Sequence, residues 1–288
     1  MVVLRYIIII IFSFPIFSLG QDTSGTKWSS NIEKKLLDYI AINENAREIY
    51  SRIFIRLRDE KVSTKFIIEL SNYKEIVVDE TVIQRFNRPA EKLSYERYRK
   101  IFINDSRVKD GVVFYNEKKA LLDTISSYYG VDPFLLVSLS GVESNYGSNS
   151  KTHSVFNALH TVIHNLPRRA KWVEKEMAEY LIYCWENEIP PLSLYGSYAG
   201  AFGYGQFIPS SFRAYSVDFD RDGMREPFEW PDVLASMANY LVKNGYSSGE
   251  NNFSKDSPNW RSIFRYNPSE NYVNVILDLR VQLMEGAN

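Results

Sequence analysis

The chain has 288 residues, nearly balanced charge (34 Lys and Arg against 35 Asp and Glu) and 45% hydrophobic residues. This length and composition suffice for a sizeable buried core. Because no basic tract stands out, nucleic-acid binding and electrostatic attachment to anionic lipid are not expected. Aromatic residues make up 15% of the chain, and tyrosine on a cleft wall suits a ligand with apolar faces and polar edges, such as a sugar.

The first twenty residues have the pattern of an export signal. Arg5 precedes an apolar stretch, Tyr6 to Leu19, that ends among small residues and is shorter than the ~20 residues of a membrane-spanning helix. We predict a signal peptide over residues 1–20 and a periplasmic mature protein, with an uncleaved membrane anchor as the alternative. No cysteine lies near the cleavage point, so we expect no lipid anchor. The single cysteine, Cys184, lies in an apolar run, which predicts a buried thiol.

The spacing of apolar residues predicts a mainly α-helical protein. The segment 77–86 is undecided between strand and helix. In the helix at 167–185, four charged residues are expected on the exposed face: Glu174, Lys175, Glu176 and Glu179. The other predicted helices are two within 31–59 separated near 43–45, then 63–70, 95–103, 116–129, 154–163, 210–216, 231–244, 260–265 and 270–285.

The stretch Gly141–Gly147 closes a further and very apolar helix. Asp132 suits its N-cap, Pro133 its first turn and Gly147 its end. Glu143 then lies in the last turn, where the negative end of the helix dipole and the apolar surroundings both disfavour an ionised carboxylate. A carboxylic acid that is kept protonated can act as a general acid. The alternative is a solvated glutamate at a helix end.

A run rich in glycine and aromatic residues, 193–207, differs from the rest of the chain. Its glycines allow the backbone to approach a ligand closely, and its aromatic rings offer stacking faces. The nucleotide-binding pattern G-x-G-x-x-G is absent from it. We predict the wall of a saccharide cleft, with Ser197 and Gln206 as hydrogen-bonding groups. A structural loop packed by its own aromatic rings is the alternative.

An acidic stretch fits the calcium-loop pattern D-x-D-x-D-G-x5-E over residues 218–229. Asp218, Asp220, Asp222 and Glu229 are the expected ligands. Calcium at such a loop would stabilise structure rather than take part in catalysis. A plain acidic turn is the alternative.

Two further pairs of polar residues carry weaker signals. His160 and His164 stand four residues apart, but the glutamate of H-E-x-x-H is missing, so we expect two helix-surface imidazoles and no zinc site. Arg168 and Arg169 open a helix, where the helix dipole disfavours cations. They could bind a ligand carboxylate or an internal acid, or form salt bridges with the glutamates of their own helix.

Taken together, several motifs in one order resemble a known family, the membrane-bound lytic murein transglycosylase B family, which has a lysozyme-like catalytic core. The resemblance holds from about Tyr95 to the C-terminus and more weakly from Ile49 onward. It implies a lysozyme-like core at 95–288 that follows an N-terminal helical region at 21–94. The motifs are GVESNYG (141–147), NAL (157–159), RRA (168–170), PLSL-x-GS (191–197), G-x-x-QF-x-PSSF (203–212), VDFD (217–220), ANYL (238–241) and YN-x-S-x-x-Y (266–272).

The resemblance implies a lytic murein transglycosylase with Glu143 as its catalytic acid/base and no cofactor for catalysis. Such enzymes cut the β-1,4 bond between N-acetylmuramic acid and N-acetylglucosamine and form a 1,6-anhydro ring. The partner is then the peptidoglycan glycan strand, and the acidic loop matches a calcium loop of family members. The residues implied to line the glycan groove are Ser197, Gln206, Tyr240, Tyr266, Asn267 and Tyr272, with Arg168, Arg169 and Tyr98 beside it.

Two other functions stay open at this point. One is a lysozyme-type hydrolase that uses the same acid with water, and the other is a non-catalytic protein that binds peptidoglycan. The glycine-aromatic run contains no second acid, which agrees with a transglycosylase. However, Asp132 or Glu174 could fold close to Glu143.

Overall fold

The computed structural model describes residues 29–87, 93–149 and 152–287, which are mainly α-helical as predicted; the expected signal peptide, 1–20, lies outside them. Short 3-10 helices cover Leu70–Asn72 and Pro167–Arg169, and β1 (His153–Ser154) pairs antiparallel with β2 (Tyr195–Gly196). The α-helices are α1 (Ser30–Ile40), α2 (Glu44–Asp59), α3 (Thr64–Glu69), α4 (Glu80–Asn87), α5 (Tyr95–Phe102), α6 (Asp105–Glu117), α7 (Lys119–Tyr129), α8 (Pro133–Ser144), α9 (Val155–Asn165), α10 (Ala170–Glu186), α11 (Pro209–Tyr215), α12 (Trp230–Lys243), α13 (Pro258–Tyr266) and α14 (Glu270–Gly286).

Most predicted helices are present, and two segments differ from the expectation. The undecided stretch 77–86 is helical from Glu80 onward, in α4. Helix α6 was missed, and the helix predicted at 116–129 begins only at Lys119. Only Gly111 and Phe114 of α6 are buried, so its apolar residues give little helical periodicity. None of the helices in the described parts of the chain is both long and apolar enough to span a bilayer.

Helix α8 lies at the centre of the packing. Asp132 caps it as predicted, because its Oδ1 accepts a hydrogen bond from the Leu135 N–H at 2.9 Å. Helices α6, α7, α12 and α14 pack around α8. The predicted stop at Gly147 is wrong by two residues: Asn145 adopts the left-handed conformation (φ 50°) and ends the helix, and its N–H bonds back to the Gly141 carbonyl. Asparagine tolerates this conformation better than most residues.

Two of the glutamates predicted to be exposed on α10 are buried. Glu176 accepts hydrogen bonds from the N–H and the hydroxyl of Ser210 at 2.8 and 2.9 Å. Glu179 forms ion pairs with Arg56 on α2 and Arg213 on α11. The prediction failed because α2 and α11 cover this face, and the paired carboxylates can be buried there without an unmet charge.

The two histidines of α9 are also buried, which corrects the expectation of surface imidazoles. The Tyr50 hydroxyl lies 2.6 Å from Nδ1 of His160, and Nδ1 of His164 lies 2.8 Å from the His160 carbonyl oxygen. Burial lowers the pKa of His160 to about 3, so the ring is neutral in the folded protein. The thiol of Cys184 is buried as expected, and burial raises its pKa to about 12.

Candidate active site

Glu143 lies in the last turn of α8, half-buried, with its carboxylate directed to α14. The Tyr272 hydroxyl donates a hydrogen bond of 2.5 Å to Glu143 Oε1. Tyr272 is only 2% exposed, and burial, followed by the charge of Glu143, raises its pKa well above the ordinary value. The phenol therefore keeps its proton and remains a donor to the carboxylate.

A second tyrosine connects this point to the glycine-aromatic run. The Tyr266 hydroxyl, at the end of α13, donates to the Gly205 carbonyl at 2.6 Å. Burial, and then the charge of Glu143, raises the pKa of Tyr266 as well. Glu143 and the run are therefore linked through Tyr272 on α14 and Tyr266 on α13.

An aromatic cluster supports this connection from behind. The ring of Tyr266 lies 4.8 Å from that of Tyr240 and 5.4 Å from that of Phe207, measured between centroids. The Tyr240 hydroxyl donates to the Arg265 carbonyl at 2.6 Å, which fixes α12 against α13. Because Tyr240 is 8% exposed, most of its surface packs inside the protein.

The polar residues of the glycine-aromatic run hold its turns. The Ser197 hydroxyl accepts hydrogen bonds from the N–H groups of Ala199 and Ala201 at 3.3 and 3.1 Å. Gln206 has a left-handed backbone (φ 49°), and its amide donates to the Gly203 carbonyl at 2.7 Å. At Gly203 itself (φ 74°), a Cβ would lie 2.5 Å from the Pro227 carbonyl oxygen, so only glycine fits.

Tyr98 lies on α5, which packs against α14, and Asn267 lies between α13 and α14. Tyr98 is buried, with its ring 5.0 Å from that of Phe102, and it is among the groups that raise the pKa of Tyr272. Asn267 follows α13 directly, and its backbone carbonyl accepts from the Ser269 N–H at 2.8 Å.

The arginines of the RRA motif lie beside α4. The Arg169 guanidinium stacks 4.5 Å from the Phe86 ring centroid, and Phe86 in turn lies 5.0 Å from Tyr198 in the glycine-aromatic run. Arg168 is exposed, and neither arginine forms an ion pair with a described residue. Phe86, which contacts both Arg169 and the glycine-aromatic run, was not singled out from the sequence, because the segment carrying it was undecided between strand and helix.

The two acids left open by the sequence do not lie beside Glu143. Asp132 is at the opposite end of α8, about 16 Å away along the helix axis, where it caps the helix and pairs with Arg280 at 2.5 Å. Glu174 pairs with Arg52 at 2.7 Å. A retaining glycosidase needs a second carboxylate at ~5–5.5 Å from the first, and neither of these residues supplies one.

The acidic loop brings three of its four predicted ligands together. One carboxylate oxygen from each of Asp218, Asp220 and Asp222 lies within 4.8 Å of the others. Oδ2 of Asp218 accepts from the Gly223 N–H at 3.0 Å, whereas Oδ1 is buried without a hydrogen-bond partner. A buried, unpaired carboxylate oxygen beside two further carboxylates fits a hard cation such as calcium.

The fourth predicted ligand is placed differently. Glu229 is exposed, precedes α12 and lies outside this group of carboxylates. A residue not singled out from the sequence, Asp232, ties the two ends of the loop together by hydrogen bonds to its backbone. It is 2% exposed and accepts from the N–H groups of Phe219 and Glu226 at 2.7 and 2.8 Å.

The chain matches the family described as the transglycosylase SLT domain over residues 56–255. It belongs to this family. The chain is 40% identical over 154 residues to the membrane-bound lytic murein transglycosylase B of Escherichia coli (strain K12), a match that covers 54% of this chain and 43% of that protein. It therefore spans less than half the length of this curated relative.

Two solved structures have the same fold. The Escherichia coli lytic transglycosylase Slt35, solved in complex with bulgecin A and in complex with calcium, is 27% identical with a TM-score of 0.75, over 86% of this chain and 95% of that chain. The soluble lytic transglycosylase SltB1 from Pseudomonas aeruginosa is 29% identical with a TM-score of 0.74, over 83% of this chain and 99% of that chain. The lysozyme-like, mainly helical fold predicted from the sequence is thus confirmed.

Proposed function

We propose that this protein is a peptidoglycan lytic transglycosylase in which Glu143 is the single catalytic acid/base. The observation that carries the proposal is the 2.5 Å hydrogen bond from Tyr272 to a glutamate at the end of the central helix. Family membership and the likeness to lytic transglycosylases over most of the chain support the same reaction class.

The proposed mechanism uses one carboxyl group twice. Protonated Glu143 donates its proton to the bridging glycosidic oxygen, and the bond from C1 of N-acetylmuramic acid to that oxygen breaks as the sugar becomes oxocarbenium-like. The resulting carboxylate then takes the proton of the C6 hydroxyl of the same sugar, whose oxygen bonds to C1 and closes the 1,6-anhydro ring. No water is added, and Glu143 ends protonated as it began.

Within this mechanism, Tyr272 orients the carboxyl group through both proton transfers. Its phenol donates to Oε1 of Glu143 at 2.5 Å and so fixes the orientation of the carboxyl group. We propose that Ser197, Gln206, Tyr266 and Asn267 border the glycan. Tyr240 and Tyr98 pack behind these residues and hold them in place. Arg168 and Arg169 lie beside the groove.

We further propose that Asp218, Asp220 and Asp222 hold a structural calcium ion, with Glu229 as a fourth ligand when the loop is loaded. The unpaired oxygen of Asp218 supports this, as does the calcium complex of Escherichia coli Slt35. The ion would neutralise the converging carboxylates and brace the loop. It has no part in the proton transfers.

The proposed location is the periplasm. The export pattern over residues 1–20 and the nature of the proposed substrate, a cell-wall polymer, support it.

The test is digestion of purified sacculi by the wild-type protein and by Glu143→Gln. Mass spectrometry of the released fragments should show anhydro-muramic ends for the wild type and no cleavage for the variant. Glu117→Gln, which removes an exposed carboxylate on α6, is the control and should cleave normally. Reducing muramic ends would assign a hydrolase instead, and a wild-type protein that binds sacculi without cleaving them would assign a binding protein.

A further inference from the structure

A pocket of about 620 Å³ lies on a part of the molecule that the proposed reaction does not use. It is formed by α3 with its N-cap Ser63 and by Tyr73 on one side, and by the end of α10 and residues 188–191 on the other. Its volume is within the ~300–1,000 Å³ of small-molecule sites. No residue in its lining contacts Glu143 or Tyr272 in the hydrogen bonds and ring contacts of the described residues.

The lining combines aromatic faces with negative charge. Phe66, Tyr73 and Trp185 are half-buried, and the Trp185 indole N–H donates to no described residue. Three exposed carboxylates and one lysine complete the polar lining, and none of the four forms an ion pair with a described residue. These four are Glu69, Glu186, Glu188 and Lys65.

This combination is suited to an organic cation. An ammonium group is attracted to the face of tryptophan or tyrosine, and more strongly when carboxylates stand at the rim. A neutral sugar would use the aromatic faces but would leave three carboxylates without a counter-charge. The excess of carboxylates over lysine therefore favours a ligand with an alkylammonium group.

The backbone conformation at Glu188 is one that favours glycine, which points to a role for the carboxylate of this residue. Glu188 follows α10 in the left-handed conformation (φ 54°), and the next N–H, of Ile189, bonds back to the Cys184 carbonyl at 2.8 Å. Glycine is the residue that best fits this position at a helix end. A glutamate there places a carboxylate on the pocket at a cost to the backbone.

We propose that this pocket binds the free alkylammonium end of a diamino acid in a peptide stem of peptidoglycan. The inference rests on the proposed function, since that function makes a polymer with repeated peptide stems the substrate. Where the diamino acid also carries a carboxylate next to the amine, Lys65 is the group available to pair with it.

The position of the pocket along the chain fits an accessory site on the same polymer. Residues 189–191, in its lining, continue into β2 and Ser197, so the pocket and the cleft wall are two ends of one segment. A polymer held at one site meets the second at a raised effective concentration. The pocket should therefore increase binding to long strands and leave the turnover of short soluble fragments unchanged.

The direct test is a titration of the protein with stem tripeptides, in which binding is monitored by Trp185 fluorescence or by calorimetry. The probes carry lysine or diaminopimelate at the third position, each with a free or an acetylated side-chain amine. We expect binding only with the free amine, and a loss of about fivefold or more in affinity for the double variant Glu69→Gln/Glu188→Gln. Glu117→Gln, which removes a carboxylate outside the pocket, should bind as the wild type. Lys65→Gln should weaken the diaminopimelate probe and not the lysine probe.

Folding and chemistry are controlled separately. Glu188→Gly removes the carboxylate and suits the left-handed backbone, so its melting temperature should equal or exceed that of the wild type while the affinity falls. All pocket variants should cleave a short soluble muropeptide at the wild-type rate and bind intact sacculi more weakly. If the pocket variants form anhydro products and bind sacculi and probes as tightly as the wild type, the pocket proposal is overturned and the proposed function stands. Binding of a basic protein peptide without binding of stem peptides would equally overturn it.

Discussion

Removing the hydroxyl of Tyr272 tests the proposed site most directly. Tyr272→Phe keeps the buried ring and deletes the donor that lies 2.5 Å from Glu143 Oε1. A hydrogen bond to a charged group contributes about 1.5–3 kcal/mol. If that bond orients the carboxyl during both proton transfers, kcat should fall by about tenfold to 150-fold. KM should change little, because the ring and the cleft wall stay in place.

The chain offers a matched control at the other end of the same helix. Tyr246 is 7% exposed, and its hydroxyl accepts a hydrogen bond from the Asp132 N–H at 3.3 Å, where α8 begins. Tyr246→Phe therefore makes the same chemical change beside α8 but far from Glu143. We expect wild-type kcat for this variant, with a similar small loss of stability, ~1 kcal/mol.

The assay is steady-state release of anhydro-muropeptides from a soluble glycan, with thermal unfolding measured in parallel. Equal kcat values for Tyr272→Phe and Tyr246→Phe would refute the orienting role of the phenol. The expected result is a large loss of kcat in Tyr272→Phe alone, with a similar small fall in melting temperature in both variants. A rise in KM with constant kcat would instead move Tyr272 to substrate binding.

Three further outcomes are expected. Calcium should raise the melting temperature and EDTA should reverse this; Asp218→Asn should abolish the response, whereas Asp59→Asn should keep it. Burial lowers the pKa of His160 to about 3 from 6.5, so between these pH values the unfolded chain binds a proton that the folded protein does not. The free energy of unfolding should therefore fall as pH drops below about 6.5, by up to ~1.4 kcal/mol per pH unit. In thermal scans at several pH values, His160→Gln should show a smaller loss of stability than the wild type. Glu176→Ala should lower the free energy of unfolding by about 2–3 kcal/mol, because the N–H and the hydroxyl of Ser210 lose their acceptor. The control is Lys175→Ala, which changes an exposed side chain and should leave the stability measured by urea unfolding unchanged. Equal effects of the two substitutions would contradict the buried contact.

The central helix could be predicted closely because local signals determine it. Asp132 caps α8, Pro133 suits its first turn and the apolar run has no polar face, so the position of Glu143 in the last turn followed from neighbouring residues alone. Its end was misplaced by two residues, because asparagine at 145 can adopt the left-handed conformation that was assigned to glycine at 147.

The partners of buried polar residues could not be predicted in this way. Glu176 and Glu179 look like the solvated side of an amphipathic helix, and His160 looks like a surface imidazole. Each is buried by a helix distant in sequence, and nothing within one turn of these residues signals that cover. The hydrogen bond between Tyr272 and Glu143 spans 129 positions and is of the same kind. Resemblance to a family placed Tyr272 near the groove, but the donor to the acid came only from the fold.

The N-terminal helices, which the sequence analysis separated from the core at residue 94, contribute to the position of the glycine-aromatic run. Helix α2 packs along α10, and Arg56 of α2 shares the buried carboxylate of Glu179 with Arg213 of α11. Helix α11 begins three residues after Gln206, so this shared ion pair fixes the point at which the glycine-aromatic run ends. Removing one partner of a buried charge network leaves the other charges unpaired, which is costly. The proposed chemistry uses α8, α13 and α14, but the glycine-aromatic run that Tyr266 contacts depends on helices that precede the core in sequence.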